Sequence, residues 1–309
     1  MDLSAISPTL LVASLMVAAT PILLAALGEM VVEKAGVLNL GVEGMMIMGA
    51  VTGFIAAVET GSPWLGFLVA AFGGAGMALL FGILTQVLLS NQVATGLALT
   101  LFGLGLSSLL GQGYVGIKAN SLGRMDMGWL SDLPFVGRVF FGHDPMVYVS
   151  LALVACVWVF LRFTRAGLIL RAVGESHEAA HALGYHVRRV RLAAIAFGGA
   201  CAGLGGAYLS LVRVPQWTEG MTAGAGWIAL AIVVFASWRA GRVLIGAYLF
   251  GGITVLQLNL QTAGARVPVE LLSAAPYLVT ILVLVLISVR AGRGGDAPAD
   301  LGKPFHAST

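Results

Sequence analysis

Apolar runs long enough to cross about 30 Å of hydrocarbon recur nine times along this chain. They lie at 8–28, 37–58, 63–89, 93–115, 145–162, 190–212, 224–238, 243–262 and 268–289. A water-soluble fold has no means of covering them, because only 10% of the 309 residues are charged, against the roughly 25% typical of soluble domains. The pattern predicts an all-α fold: a polytopic membrane helical bundle of about nine transmembrane helices, forming one domain over residues 1–309. The seventh run is short for a full span, and reads either as extending back towards Gln216 or as a half-helix lining a cavity. The first run has neither a basic leader nor a small-residue cleavage site, so it reads as a retained span. Residues 291–309, rich in Gly, Pro, Ala and Asp, read as a disordered tail.

One polar island interrupts the apolar text between the fifth and sixth runs. Thr164 to Arg191 holds five of the seventeen basic residues, three of the five histidines, and Glu175 and Glu178. Within this loop, about 163–190, Glu178, Ala179, Ala180 and Gly184 spell E-A-A-x-x-x-G, a turn of good helix formers followed by a glycine that stops the helix or admits another backbone. A short amphipathic helix is predicted from Ser176 to Leu183, offering Ala179, Ala180 and Leu183 to a groove in a partner. If the island is cytoplasmic, twelve Lys and Arg residues lie on its side and five on the other. That bias places the N-terminus outside, the C-terminus inside, and the loop Gly116–Asp144 outside. The net charge of +3 is explained by this clustering, and nucleic-acid binding is not expected.

Polar groups at membrane depth are costly unless they face protein or water. Glu29 and Glu33 are one turn apart, and so are Asn39 and Glu43, at a junction where two runs meet with almost no loop. Gly36, Gly41 and Gly44 permit a break there, and the pattern fits a discontinuous helix with Asn39 as its cap. Glu33 reads as an ion-pair partner of Lys34 or an arginine, and Glu43 equally as a functional group or as a polar bond to a neighbouring helix. Asn91, Gln92 and Thr95 open the fourth run, and Gln257, Asn259 and Gln261 close the eighth; such amides suit hydroxyl-rich or heterocyclic solutes, and also bond between helices. Asn39, Glu43, Asn91, Gln92 and Thr95 are therefore the candidate pathway residues. The 42 glycines, with pairs such as Gly199/Gly203 and the series Gly198/Ala202/Gly206, read as close helix packing.

No P-loop, H-E-x-x-H, G-x-S-x-G or metal-spaced Cys cluster occurs, so the chain is not expected to be an enzyme or to hold a cofactor. His177, His181 and His186 lack acidic or Cys partners at ligand spacing, and no metal site is expected. Cys156 and Cys201 lie inside apolar runs as small hydrophobes.

The stretch A-L-G-E-x-x-x-E-K-A-G-V-L-N-L-G-V-E-G-M-M-x-M-G-A from Ala26 resembles permease subunits of nucleoside-type ABC importers, within the branched-chain amino acid and ribose permease family. The similarity continues in N-Q-V-A-T-G-L-A-L-T from Asn91, in E-A-A-x-x-x-G, and in G-M-T-A-G-x-G-W-I-A-L-A from Gly220. This resemblance implies a fold like the vitamin B12-type importer permease, in a bacterial inner membrane. It also implies a second homologous permease or a self-dimer, ATPase subunits docked on Glu178 to Gly184, and an external solute-binding lipoprotein. The solute it implies is small and polar, a nucleoside first. The rival class is an ion-coupled secondary transporter, for which Glu43 would be the mid-span carboxylate.

Overall fold

The computed structural model describes residues 8–125, 128, 141–262 and 297–306, with isolated positions at 274, 278, 281, 282 and 285. Ten helices are traced among them: α1 (Pro8–Lys34), α2 (Val42–Thr60), α3 (Pro63–Gly82), α4 (Gln92–Gly111), α5 (Pro145–Phe163), α6 (Arg165–Glu175), α7 (His177–Ala182), α8 (Val187–Tyr208), α9 (Ala225–Phe235) and α10 (Ala240–Thr262). α3 and α8 each run on through a π-helical turn, Ile83–Val87 and Leu209–Arg213. Local chemistry sets several starts. Asp144 Oδ1 accepts from the Met146 and Val147 amides ahead of Pro145, Asn91 Oδ1 accepts from Ala94, and Thr164 Oγ1 from Gly167.

Seven helices among the described residues are long and apolar enough to cross a membrane: α1 to α5, α8 and α10. The helical bundle is as expected, but the count of nine is not reached. α9 holds 11 residues, a rise of about 16 Å and half a bilayer, and the ninth run, 268–289, lies outside the described residues apart from its isolated positions.

α8 is the packing axis, held against α1, α2 and α3. With no hydrophobic effect between helices in lipid, close backbone approach must supply the attraction. Gly203 does so twice: a Cβ there would strike the Ala70 carbonyl of α3, and a Cβ on Gly49 of α2 would strike Gly203 itself. Gly28 of α1 meets Gly198 and Cys201 in the same way. The exposed faces of α3 and α4 instead carry Phe72, Leu68, Leu101 and Leu109. Gly203→Leu should therefore cost more than the ~1–3 kcal/mol of ordinary overpacking, since backbone cannot yield as side chains do. The expected outcome is loss of folded, detergent-extractable protein, while Gly76→Leu, at an exposed site with no atom within 4 Å, stays at wild-type yield.

Between α8 and α9 the chain runs without helix from Val214 to Gly224. Its backbone pairs with residues 115–119: Val115 bridges Trp217, Lys118 bridges Gln216, and the Ala119 amide donates to Pro215 O over 3.1 Å. Trp217 is buried. Thr222 is buried as well, whereas Val214, Gln216 and Thr218 to Gly220 are exposed.

Candidate functional site

Two interruptions of regular helix meet inside the bundle: residues 35–41 between α1 and α2, and 214–224 ahead of α9. Glu43 joins them. Its Oε1 accepts from Thr222 Oγ1 at 2.6 Å and the Gly224 amide at 2.9 Å, and its Oε2 accepts from the Gly226 amide at 2.7 Å. Gly224 is left-handed at φ 85° and leaves its amide free for this, and the positive end of α9 adds a favourable field. A buried carboxylate is thus held by one hydroxyl and one helix N-terminus. A Cβ on Gly226 would overlap Glu43, so the two elements touch backbone to backbone.

Below Glu43 the polar chain continues. Asn39 Nδ2 donates to Glu29 Oε2 at 3.0 Å, and Asn39 Oδ1 accepts from the Gly41 amide at 3.0 Å. Asn39 was expected to cap the following helix; it closes a turn instead, and Gly41 stands at the N-cap without a side-chain bond. Glu33 was expected in an ion pair with Lys34 or an arginine. It accepts the indole N–H of Trp238, which sits with Ser237 in a left-handed pair at φ 54° and 49°. Two consecutive non-glycine residues there store strain that only a specific contact maintains. Glu29 Oε1 is buried without a partner.

The other pathway candidates have local partners. Asn91 caps α4, and Thr95 Oγ1 bonds Ser90 Oγ at 2.8 Å. Gln92 is buried, accepts from the Leu38 amide at 2.8 Å, and leaves its Nε2 without a partner. It thereby ties α4 to the α1–α2 turn that carries Asn39. The structure brings Asn39, Glu43 and Gln92 to one region and leaves Asn91 exposed. Asn259 bonds its own helix at Val255 O, and the expected outer-loop residues Asp126, Asp132 and Arg138 lie outside the described residues. Thr222 and Trp238 were not among the candidate pathway residues: Thr222 precedes the seventh run and Trp238 ends it, and neither advertises a partner some two hundred residues away.

At one end of the bundle, α6 and α7 stand between α5 and α8. α7 is the helix expected over Ser176–Leu183, with Ser176 Oγ accepting from Ala179 N at 3.2 Å. Glu178, Ala179 and Leu183 are exposed, Leu183 by 76%. Ala180, expected to face a partner, is turned inward and buried with Val173, Val187 and Phe305. Gly184 takes φ 87°, with its amide on His181 O at 2.8 Å, so conformation within this chain accounts for it.

Residues 297–306, expected within a disordered tail, are ordered against this end. Asp300 Oδ2 lies 2.7 Å from His177 Nδ1 and accepts from the His177 amide at 2.8 Å. Burial pushes the His177 imidazole below its ordinary value despite Asp300. Burial also raises Asp300, but the His177 amide and the Lys303 ammonium outweigh it and hold the carboxyl low. His181 and His177 both face the Phe305 ring, at 5.3 and 5.4 Å.

Besides a smaller cavity beside Ser176, His177, Asp300 and Lys303, two larger ones among the described residues lie away from Glu43. One of about 560 Å³ is walled by apolar side chains of α1, α5, α6 and α8, including Cys156 and Phe160. The other, about 660 Å³, lies at the opposite end and is lined in part by Arg124, His143, Asp144 and Arg213, with Asp144 Oδ2 accepting from buried Tyr208 at 2.7 Å.

A family described as "Branched-chain amino acid transport system / permease component" matches residues 11–288. TsgC13 of Haloferax volcanii, provisionally designated a glucose ABC transporter permease protein, is 43% identical over 88% of this chain and 90% of its own length. The nucleoside ABC transporter permease protein NupC of Lactococcus lactis is 30% identical over 91% and 93%, and the guanosine ABC transporter permease protein NupQ of Bacillus subtilis is 30% identical over 96% of each. The match takes in all seven spans, the interrupted centre and the end helices α6 and α7; the chain belongs to the branched-chain amino acid type of ABC transporter permease components, and is a multi-pass membrane protein.

Proposed function

We propose that this chain is the pathway-forming permease subunit of an ATP-driven importer of nucleosides. The observation that carries the reading is α7, a two-turn helix outside the bundle whose exposed Glu178, Ala179 and Leu183 offer a separate ATPase a handle. Movement there reaches α5 and α8 directly, because α6 and α7 are the only chain between them. A second homologous permease or a second copy completes the pathway, with Asn39, Glu43 and Gln92 near it, and an external lipoprotein delivers the solute. The family's extent and the guanosine and nucleoside relatives support this reading. The architecture we read in it is that of the vitamin B12-type importers.

A hexose is the second reading, favoured by the 43% identity to TsgC13. Uptake of labelled guanosine by cells carrying the complete transporter decides between them: competition by unlabelled nucleosides and not by glucose is expected, and the reverse order assigns a hexose. ATP-independent uptake driven by an ion gradient would overturn the importer reading altogether.

The bias of Lys and Arg places α6 and α7 in the cytoplasm. A reporter fused after Thr309 should be active only in its cytoplasmic form, and one inserted at Gly128 only in its external form. The opposite activity at either point overturns this orientation.

A further inference from the structure

Residues 297–306 touch α6, α7, α8 and the α1–α2 turn. The Asp300 amide donates to Gly174 O at the end of α6, at 3.0 Å, while its carboxylate holds the start of α7 through His177. The Gly302 amide donates to Gly36 O in the α1–α2 turn, at 3.1 Å. The Lys303 carbonyl accepts from Arg191 Nη1 at 3.0 Å. Arg191 is fully buried, and its Nε and Nη1 also donate to Ala35 O at 3.2 Å and to Gln86 Oε1 at 3.3 Å in the π-turn after α3. Phe305 fills the space behind α7 against Val173, Ala180 and Val187. The outward face of α7 stays uncovered by this segment, since Glu178, Ala179 and Leu183 are exposed.

We propose that residues 297–306 form a clasp that carries the movement of α7 to the α1–α2 turn, and so to Asn39 and Glu43. This rests on the importer reading of the previous section. Besides its covalent links to α6 and α8, α7 is held by a small apolar cluster on its inward face, and the clasp supplies Phe305, the largest buried side chain in it. The link from α7 through Asp300 and Gly302 to Gly36 is built of hydrogen bonds to backbone groups, which shift together with the elements they tie. Asp300, Lys303 and Phe305 are positioning residues, and the readout that separates them from mere structural support is the coupling of hydrolysis to transport.

The experiment uses the reconstituted transporter with its ATPase and solute-binding protein. Asp300→Ala, Phe305→Ala and deletion of residues 297–309 should each lower uptake per assembled complex tenfold or more. The ATPase should remain bound through the uncovered face of α7, with basal hydrolysis persisting and stimulation by the loaded binding protein lost. Asp300→Asn, which keeps an acceptor for the His177 amide, should recover most of the stimulation even where the deletion fails to fold. Wild-type uptake and stimulation in the Phe305→Ala and Asp300→Ala complexes would overturn the proposal, and so would loss of the ATPase from them, which would make the segment a docking surface. A cross-link between Ala180→Cys and Phe305→Cys, with Cys156 and Cys201 replaced, should leave transport intact. A block on cross-linking would show that the segment must leave, as an inhibitory strap does, and would also overturn the clasp. Failure of the importer reading shows itself separately, as a wild-type complex without an ATPase.

Discussion

Glu43→Gln should reduce uptake per assembled complex at least tenfold. The carboxylate accepts from Thr222 and from the Gly224 and Gly226 amides, all within 2.9 Å. An amide in its place keeps one acceptor and turns an N–H₂ group towards donors, leaving at least one buried N–H unmet. Each such group costs about 1–3 kcal/mol when buried. The start of α9 would lose its anchor to α2, and a factor of ten in rate requires only about 1.4 kcal/mol. Thr222→Val removes one donor and leaves the amides satisfied, so a smaller loss of about twofold to fivefold is expected. The check is solute uptake normalised to purified complex, alongside basal ATP hydrolysis. If Glu43→Gln lowers the amount of complex but leaves uptake per complex unchanged, Glu43 is a structural cap and no part of the pathway.

Apolar length made the bundle legible, because each of the long runs had to become a helix shielded from water. Its interruptions were less legible. Glycines at 36, 41 and 44 announced a break between α1 and α2, but the partner of that break is Gly224, reached through Glu43 across 181 positions. Charge was misleading as exposure. Arg191 reads as one more loop cation, and burial of its guanidinium depends on carbonyls of Ala35 and Lys303 that the neighbouring sequence does not advertise. The same holds for the C-terminal segment, whose Gly, Pro and Ala content lacks an apolar pattern of its own. Four or five hydrogen bonds to other elements and one aromatic ring order it, and those partners belong to distant parts of the chain. The turn at the end of α7 was located correctly, and of the two readings of its glycine, a helix stop or an approach point for another backbone, the left-handed conformation supports the first.

That difference is open to a direct measurement. Gly184→Val should release the ATPase from the permease, whereas Gly184→Asn should retain it at near wild-type stoichiometry. At φ 87° a β-branched side chain collides with its own backbone at a cost of about 1–2 kcal/mol or more, and asparagine is among the few residues that accept the left-handed region. Valine would unwind the closing bonds from the Gly184 amide to His181 O and from the Tyr185 amide to Ala180 O, and with them a helix only six residues long. Among the described residues, none beyond its chain neighbours comes within 4 Å of a Cβ at Gly184, so none of them resists the asparagine side chain. Co-purification of the ATPase, with Gly184→Ala as the intermediate case, reads the series. Should Gly184→Asn lose the ATPase as fully as Gly184→Val, the left-handed turn is not the reason for the glycine. The space beside it must then be filled by the partner's backbone.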